Sequence, residues 1–405
     1  MTIAPEQRRW LILAVIFAAF VLNYVDRQIV SVLKPQLQAE FGVGERGYAV
    51  LVNVFLACYA TSYVVAGWLV DRHGAGRVLM LGIGAWSAAC MAAAAAGSFL
   101  HLAVCRGLLG CAEPLAFPAQ LRVVATWFPA HLRGTANSIC AAGSTIGAII
   151  AAPVVAGLTV QFGWRAAFVV PGALGLAVAA WWWLVYRDPP AAGDGATTRG
   201  GGSLSWPKLL RSRSLQGLLV ARFVSDPVWY FCLFWLPGYL QKESGLTLEQ
   251  IGLYGWIPFL VADVGGVASS MVSDLLVRRG MNSLTARKAT LAAVAAVAPV
   301  CMLTTRFDHP TATLAIFSLV GAVCLTWLFG LGVVVAETFP AGNVGSAWGI
   351  AGACGTLGAI AFNAFVGDVL ESYGPDRIFA VMAVLHPVAA TILWLTVRPT
   401  RTAPM

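Results

Sequence analysis

Charged side chains set inside long apolar runs are the residues of this sequence most suited to chemistry. Asp26 and Arg27 stand side by side in the first run, Arg106 and Glu113 share the fourth, and Arg222 and Asp226 share the seventh. A charge at the centre of a bilayer costs roughly 2.5–3.5 kcal/mol on insertion scales, so such residues face a bundle interior or a water-filled path and mark substrate routes or proton relays. Arginine keeps its charge and presents a planar fork of donors that matches a carboxylate. A carboxyl group held away from water, as Glu113 would be, is suited to taking up a proton on one side and releasing it on the other. A neutral Glu113 would free its arginine for an incoming carboxylate, so proton and anion would be coupled by competition for one cation. The competing reading is a structural charge network that fixes helix register. It weighs most for Asp226, one turn from Arg222, and for Asp263, while Asp368 reads as interfacial. Arg106 also opens an R-x-x-x-G step with Gly110 that suits close helix packing.

Helical geometry restricts the pairings. Arg106 and Glu113 lie two turns apart on one face, about 10 Å along the axis. At 1.5 Å per residue, Asp26 and Arg27 lie about 24 Å from one end of the first helix and Arg106 about 9 Å from the opposite end of the fourth. These levels nearly coincide in a hydrocarbon core of ~30 Å, which lets Asp26 pair with Arg106. Glu113 falls nearer the middle, within reach of Arg27 or Arg222. Neighbours on a helix point ~100° apart, so Asp26 and Arg27 are expected to have different partners.

The elements that must hold these residues follow from composition. The 405 residues are 59% hydrophobic and 11% charged, with a mean hydropathy of +0.77. Soluble chains carry about 25% charged residues, so lipid must solvate much of this one. Its apolar runs are about 20 residues long, enough to cross a bilayer. They fall at 10–34, 47–70, 78–97, 100–124, 135–161 and 164–186, then at 215–240, 248–272, 287–306, 311–335, 346–370 and 375–397. The stretch 187–214 is rich in Pro, Gly, Ser, Thr and basic residues and reads as a solvated linker. The expected architecture is an all-α membrane protein of twelve transmembrane helices in two pseudo-symmetric six-helix bundles, 1–186 and 215–405. Residues 123–149 recur at 334–360, an offset of 211, with 14 of 27 positions identical. Parallel six-helix repeats of this kind are a transporter architecture, and a solenoid would repeat at about 20–50 residues. Arg8, Arg9 and Trp10 lead straight into the first run, which reads as a retained helix rather than a cleaved signal.

The net charge of +8 does not point to nucleic acid. With both termini taken as cytoplasmic, most lysines and arginines fall on the cytoplasmic side, and Lys34, Arg46, Arg165, Lys242, Arg306 and Arg377 on the other. This is the positive-inside distribution. The nine cysteines all lie in apolar runs and read as small packing residues, and the five histidines lack metal-ligand spacing. Pro114 and Pro118 are expected to kink the fourth helix. Tyr24, Tyr59, Trp229, Tyr230 and Trp235 are candidates to line a sugar-sized cavity, against the blander role of belt or packing. No catalytic triad, Walker motif or hydrolytic carboxylate pair is present.

Several segments resemble known sequences. GWLVDRHGAGR (67–77) is similar to the loop signature of the major facilitator superfamily, with a degraded echo SMVSDLLVRRG at 270–280. NYVDRQ (23–28), RGLLGCAEP (106–114), RFVSDPVWYFCLFWLP (222–237) and WIPFLVADVGG (256–266) resemble the anion:cation symporter family, in particular its hexuronate-transporter branch. The resemblance covers nearly the whole chain and implies symport of protons with an organic carboxylate such as a hexuronate or aldonate. It implies that Asp26 and Glu113 carry protons, that Arg27 holds the substrate carboxylate, and that Tyr24 and Tyr59 line the site. It assigns Arg222 to the anion site of some members and gives Gly67, Asp71, Arg72 and Arg77 to the gating loop. Two positions depart from the pattern: Gly352 stands where galactonate-type relatives carry Asn, and Gly76 stands where a second basic residue is common.

The expectation is therefore a bacterial inner-membrane importer that works by alternating access. Protons would be the coupling ion, with no cofactor and no metal. Its partners would be a small organic anion and the lipid bilayer, without nucleic acid, and the chain would act as a monomer. An exporter or an organophosphate antiporter on the same fold is the alternative, and a membrane-embedded enzyme finds no support.

Overall fold

The structure is a computed structural model describing residues 5–187, 205–307 and 309–398. Most of the 187–214 linker lies outside the described residues. The first half runs α1 (Pro5–Val32), α2 (Lys34–Phe41), α3 (Glu45–His73), α4 (Ala75–Ala94), α5 (Phe99–Ala112), a 3-10 turn (Glu113–Leu115), α6 (Ala116–Trp127), α7 (Ala130–Phe162) and α8 (Ala166–Val185). There follow α9 (Trp206–Leu210), α10 (Arg213–Phe234), α11 (Leu236–Lys242), α12 (Leu248–Tyr254), α13 (Ile257–Arg278), α14 (Ser283–Ala295) and a 3-10 stretch (Ala298–Arg306). The chain ends with α15 (Pro310–Thr338), α16 (Ala341–Ser372) and α17 (Asp376–Thr396). Among the described residues, 11 helices are long and apolar enough to cross a membrane. The number reaches 12 when Lys34–Phe41 and Glu45–Tyr63, bent by 111°, are taken as one span.

Local chemistry sets the ends of these helices. Ser98 caps α5 and Ser212 caps α10 by accepting a backbone N–H, Thr247 and Gln250 form a capping box on α12, and Asn282 caps α14. Gly42, at φ +63°, ends α2 in the left-handed region. The fourth crossing is interrupted at Pro114, where Glu113–Leu115 forms a 3-10 turn between α5 and α6, while Pro118 lies in the first turn of α6. The seventh crossing is broken at Trp235, between α10 and α11, a break that a continuous apolar run had hidden.

The chain divides into two compact units. Unit 1 is Met1–Gly195 with Pro237–Trp256, and unit 2 is Ala196–Leu236 with Ile257–Met405. The segment Pro237–Trp256 therefore packs with the first half, although it follows the linker in sequence. It is tied there by Gln241 Nε2, which donates to the Val32 carbonyl at 2.8 Å, and by Glu45, which bridges Lys34 at 2.6 Å and Lys242 at 3.1 Å. In unit 1, α1 packs along α7, α3 along α5 and α4 along α8; in unit 2, α10 packs along α16 and α13 along α15.

Two close approaches matter for the site. A Cβ on Gly110 of α5 would overlap the Phe55 carbonyl oxygen of α3, so this glycine sets how near α5 lies. A Cβ on Gly147 of α7 would likewise overlap the Val21 carbonyl oxygen of α1. Overpacking a tight contact costs about 1–3 kcal/mol. Gly110→Val is expected to lower the apparent melting temperature in detergent clearly. Gly84→Val, whose Cβ would meet nothing within 4 Å, is expected to leave it nearly unchanged.

Candidate functional site

Unit 1 gathers four charged residues in its interior. Arg27 and Asp26 come from α1, Arg106 from α5, and Glu113 from the 3-10 turn that follows α5. Their exposures are 6%, 1%, 2% and 0%. The guanidinium of Arg27 donates to one oxygen of Glu113, with Nη2 at 2.5 Å and Nε at 3.0 Å. Both bonds fall on Oε2, which leaves Glu113 Oε1 without a hydrogen-bond partner among the described residues. Arg27 Nη2 also reaches Asn23 Oδ1 at 3.4 Å.

Aromatic rings surround the pair. The Arg27 guanidinium lies 4.8 Å from the Tyr24 ring centre, 5.0 Å from Tyr59 and 5.6 Å from Phe55, within the ~6 Å range of cation–π attraction. Tyr24 and Tyr59 are only half-buried, so the cage is open on their side. Arg106 stands over the same Phe55 ring at 4.5 Å, with its Nε and Nη2 lacking hydrogen-bond partners. The pairing of Arg106 with Asp26 allowed by helix depth is not made. Asp26 instead accepts from the Cys90 thiol at 3.4 Å, because the rotation of α1 turns it toward α4. Depth alone could not reveal that rotation. Of the two arginines in reach of Glu113 by length, Arg27 holds it.

In unit 2, Arg222 and Asp226 form a largely buried pair. Arg222 donates to Asp226 Oδ2 from Nη2 at 2.6 Å and from Nε at 2.9 Å, one turn along α10, and its guanidinium stacks 4.4 Å over Trp348 of α16. A Cβ at Gly355 would overlap the Asp226 carboxylate, and one at Gly352 would lie 3.7 Å from Arg222 Nη1. The position where relatives carry Asn thus lies beside the arginine. One turn further, Thr356 meets the Tyr230 hydroxyl at 3.4 Å, and Asn363 accepts from Trp235 Nε1 at 2.7 Å. Trp229 packs edge-on against Phe259 rather than on the charged pair. Phe55, Cys90, Trp348, Thr356 and Asn363 were missed by sequence reasoning, since apolar and small polar residues in apolar runs carry no signal of their own. Asp263 is half-buried on α13, and Asp368 is exposed near the end of α16.

In the signature loop, Gly67 lies in the last turns of α3, Arg72 stacks on Trp68 at 5.3 Å, and Arg77 is exposed. The Asp71 side chain lies outside the described residues. Gly76 cannot carry a side chain here: its Cβ would overlap the Tyr186 ring, and its carbonyl accepts from Trp182 Nε1 at 2.9 Å. In the echo loop, Asp274 pairs with Arg287 at 2.5 Å, and Arg287 also reaches Glu337 at 3.4 Å. Among the described residues, no group of three or more His, Cys, Asp or Glu could hold a metal ion.

Residues 16–329 match the family model described as Major Facilitator Superfamily. The chain is 29% identical to the hexuronate transporter of Escherichia coli (strain K12) over 404 residues, covering 95% of this chain and 93% of that protein. It is 28% identical to a probable galactarate/D-glucarate transporter of Bacillus subtilis (strain 168) over 419 residues, covering 96% and 91%. Among solved structures it is similar to an inward-facing, unoccupied bacterial homolog of the human lysosomal transporter Spinster. The TM-score is 0.76 at 17% identity, with 96% and 95% of the two chains covered, a likeness of fold.

Removing one partner of a buried ion pair costs about 3–5 kcal/mol, because a bare charge is left behind. Glu113→Ala is therefore expected to destabilise the purified protein strongly. The double variant Arg27→Met with Glu113→Ala is expected to recover a substantial part of that loss. A double-mutant cycle on thermal unfolding measures the coupling, and additive losses would show that the pair contributes no coupling energy.

Proposed function

The chain belongs to the Major Facilitator Superfamily, and we propose that it imports a sugar-acid anion together with protons across the bacterial inner membrane. That it is a multi-span membrane transporter and not an enzyme follows from the family and from its named relatives. The observation that carries the proposal is the balance of buried charge in unit 1: apart from the Lys34–Glu45 pair, which answers itself, two guanidiniums, Arg27 and Arg106, stand against two carboxylates, Asp26 and Glu113. An arriving carboxylate adds a negative charge that a desolvated site cannot hold uncompensated. If Glu113 takes a proton, the balance is restored and the Arg27 fork is released at the same moment. The anion then occupies the place Glu113 vacated, with Asp26 as the second proton carrier.

The chemistry of the surroundings suits a polyhydroxy carboxylate. The Arg27 guanidinium lies over the rings of Tyr24 and Tyr59, and in unit 2 the hydroxyls of Tyr230 and Thr356 meet one turn along α16 from Gly352, which faces Arg222. Hexuronates and galactarate or glucarate, named for the relatives, share a carboxylate and a row of hydroxyl groups. Alternating access would expose the Arg27–Glu113 pair to each side in turn. The orientation we propose, both termini cytoplasmic, rests on the positive-inside distribution of Lys and Arg, and the working unit we propose is the monomer.

Uptake of labelled hexuronates and aldarates into proteoliposomes tests this reading. An inward proton gradient is expected to accelerate uptake, and a protonophore to cancel the acceleration. Arg27→Ala should weaken substrate binding about 10–100-fold, the worth of hydrogen bonds to a charged group. Gradient-driven uptake that survives the protonophore would refute proton symport. Exchange against inorganic phosphate would instead mark an organophosphate antiporter, and stabilisation by cationic drugs alone an exporter.

A further inference from the structure

Asp26 and Arg27 are adjacent, yet Asp26 turns away from the aromatic cage toward α4 and α8. Its Oδ1 accepts from the thiol of Cys90 on α4 at 3.4 Å, and its Oδ2 has no hydrogen-bond partner among the described residues. The charged groups acting on it are Arg106 of α5 and Glu113 of the adjoining turn, neither in an ion pair with it. On α8, the Phe168 carbonyl is a second acceptor for the Cys90 thiol, also at 3.4 Å. One thiol proton therefore lies between two acceptors at the same distance.

The repeat supplies an internal control. Cys90 shifted by the repeat offset of 211 is Cys301, and Phe168 is Phe379. In unit 2 the Cys301 thiol donates to the Phe379 carbonyl at 3.3 Å, and among the described residues no carboxylate is hydrogen-bonded to it. The thiol–carbonyl contact is common to both units, and the carboxylate contact is what unit 1 adds.

We infer that Cys90 is a positioning residue for the proton step, its single S–H donating to Asp26 while that carboxylate is charged and to the Phe168 carbonyl once Asp26 carries the proton. The inference rests on the reading of Asp26 as a proton carrier. The proton adds to an Asp26 oxygen, the thiol keeps its own hydrogen, and no bond to sulfur forms or breaks. The charged acceptor wins first because hydrogen bonds to an ionised group are roughly twice as strong as neutral ones. After protonation that advantage is gone, and the thiol takes up the contact seen at Cys301. The charge state of Asp26 is thereby felt on α8.

Infrared difference spectra of the purified protein between acid and neutral pH test this directly. A carboxyl C=O band that is lost in Asp26→Asn identifies protonation of Asp26. In step with it, one S–H stretching band is expected to shift, absent in Cys90→Ala and fixed in Asp26→Asn, while the band lost in Cys301→Ala stays still. Cys90→Ala removes the only hydrogen bond that Asp26 accepts among the described residues. It is expected to displace the pH profile of uptake toward alkaline pH by roughly one unit with little change in substrate KM, and Cys90→Ser to restore the profile. If the Asp26 band appears but no S–H band moves, or if Cys90→Ala keeps the wild-type profile, the inference is overturned and proton coupling stands. If no band belongs to Asp26, its role as a proton carrier fails and this inference falls with it.

Discussion

A guanidinium surrounded by protein and lipid must have its charge answered by something other than water, and Arg27 is answered by Glu113. Their contact is possible only where three packings agree. Gly147 lets α7 come close to α1, and Gly110 lets α5 come close to α3. The 3-10 turn at Glu113–Leu115 then delivers the carboxylate. The ring of Phe55 lies within reach of both guanidiniums, at 5.6 Å from Arg27 and 4.5 Å from Arg106. Gly110, Gly147 and the 3-10 turn at Glu113–Leu115 thus bear on one ion pair.

The same constraint explains how a tight pair can also be a working part. Leaving either partner bare costs about 3–5 kcal/mol, but exchanging one carboxylate for another costs only the difference between two similar interactions. A protonated Glu113 and an arriving anion together present Arg27 with the same charge as before. Neither step is favourable alone, because each leaves the interior with an uncompensated charge. In the proposed mechanism, coupling would follow from the desolvation of the site and would need no dedicated linkage between distant residues. The single-oxygen geometry of the pair suits the proposed step, since Glu113 Oε1 has no hydrogen-bond partner among the described residues.

How much of this could be read in advance depended on what each residue type reveals by itself. Charges within apolar runs are rare enough that Asp26, Arg27, Arg106, Glu113, Arg222 and Asp226 announced themselves, and the twelve runs and their repeat were legible from hydropathy and identity. Pairing was less so. Residue counts give height along a helix but not its rotation, so Arg106 was brought level with Asp26 while the actual partners are Phe55 and Cys90. Gly76 looked like a missing basic residue and is instead the only residue that fits beneath Tyr186. The break at Trp235 and the attachment of Pro237–Trp256 to unit 1 are tertiary facts with no local signal apart from Pro237.

The repeat also shows where the two units part company. At the offset of 211, Arg106 corresponds to Phe317 and Glu113 to Cys324. Phe317 stacks on Phe231 with ring centres 6.2 Å apart and meets Phe379 edge-on at 5.9 Å. The slot that holds charge in unit 1 therefore holds an aromatic cluster in unit 2. An aromatic core needs no counterions and does not change when a proton arrives, whereas the unit 1 interior must rearrange its partners whenever Asp26 or Glu113 changes charge. Duplication supplied two equivalent scaffolds. In the proposed mechanism the groups that take up protons sit in unit 1, whereas unit 2 keeps at the matching positions an aromatic cluster that no proton changes, apart from its own Arg222–Asp226 pair.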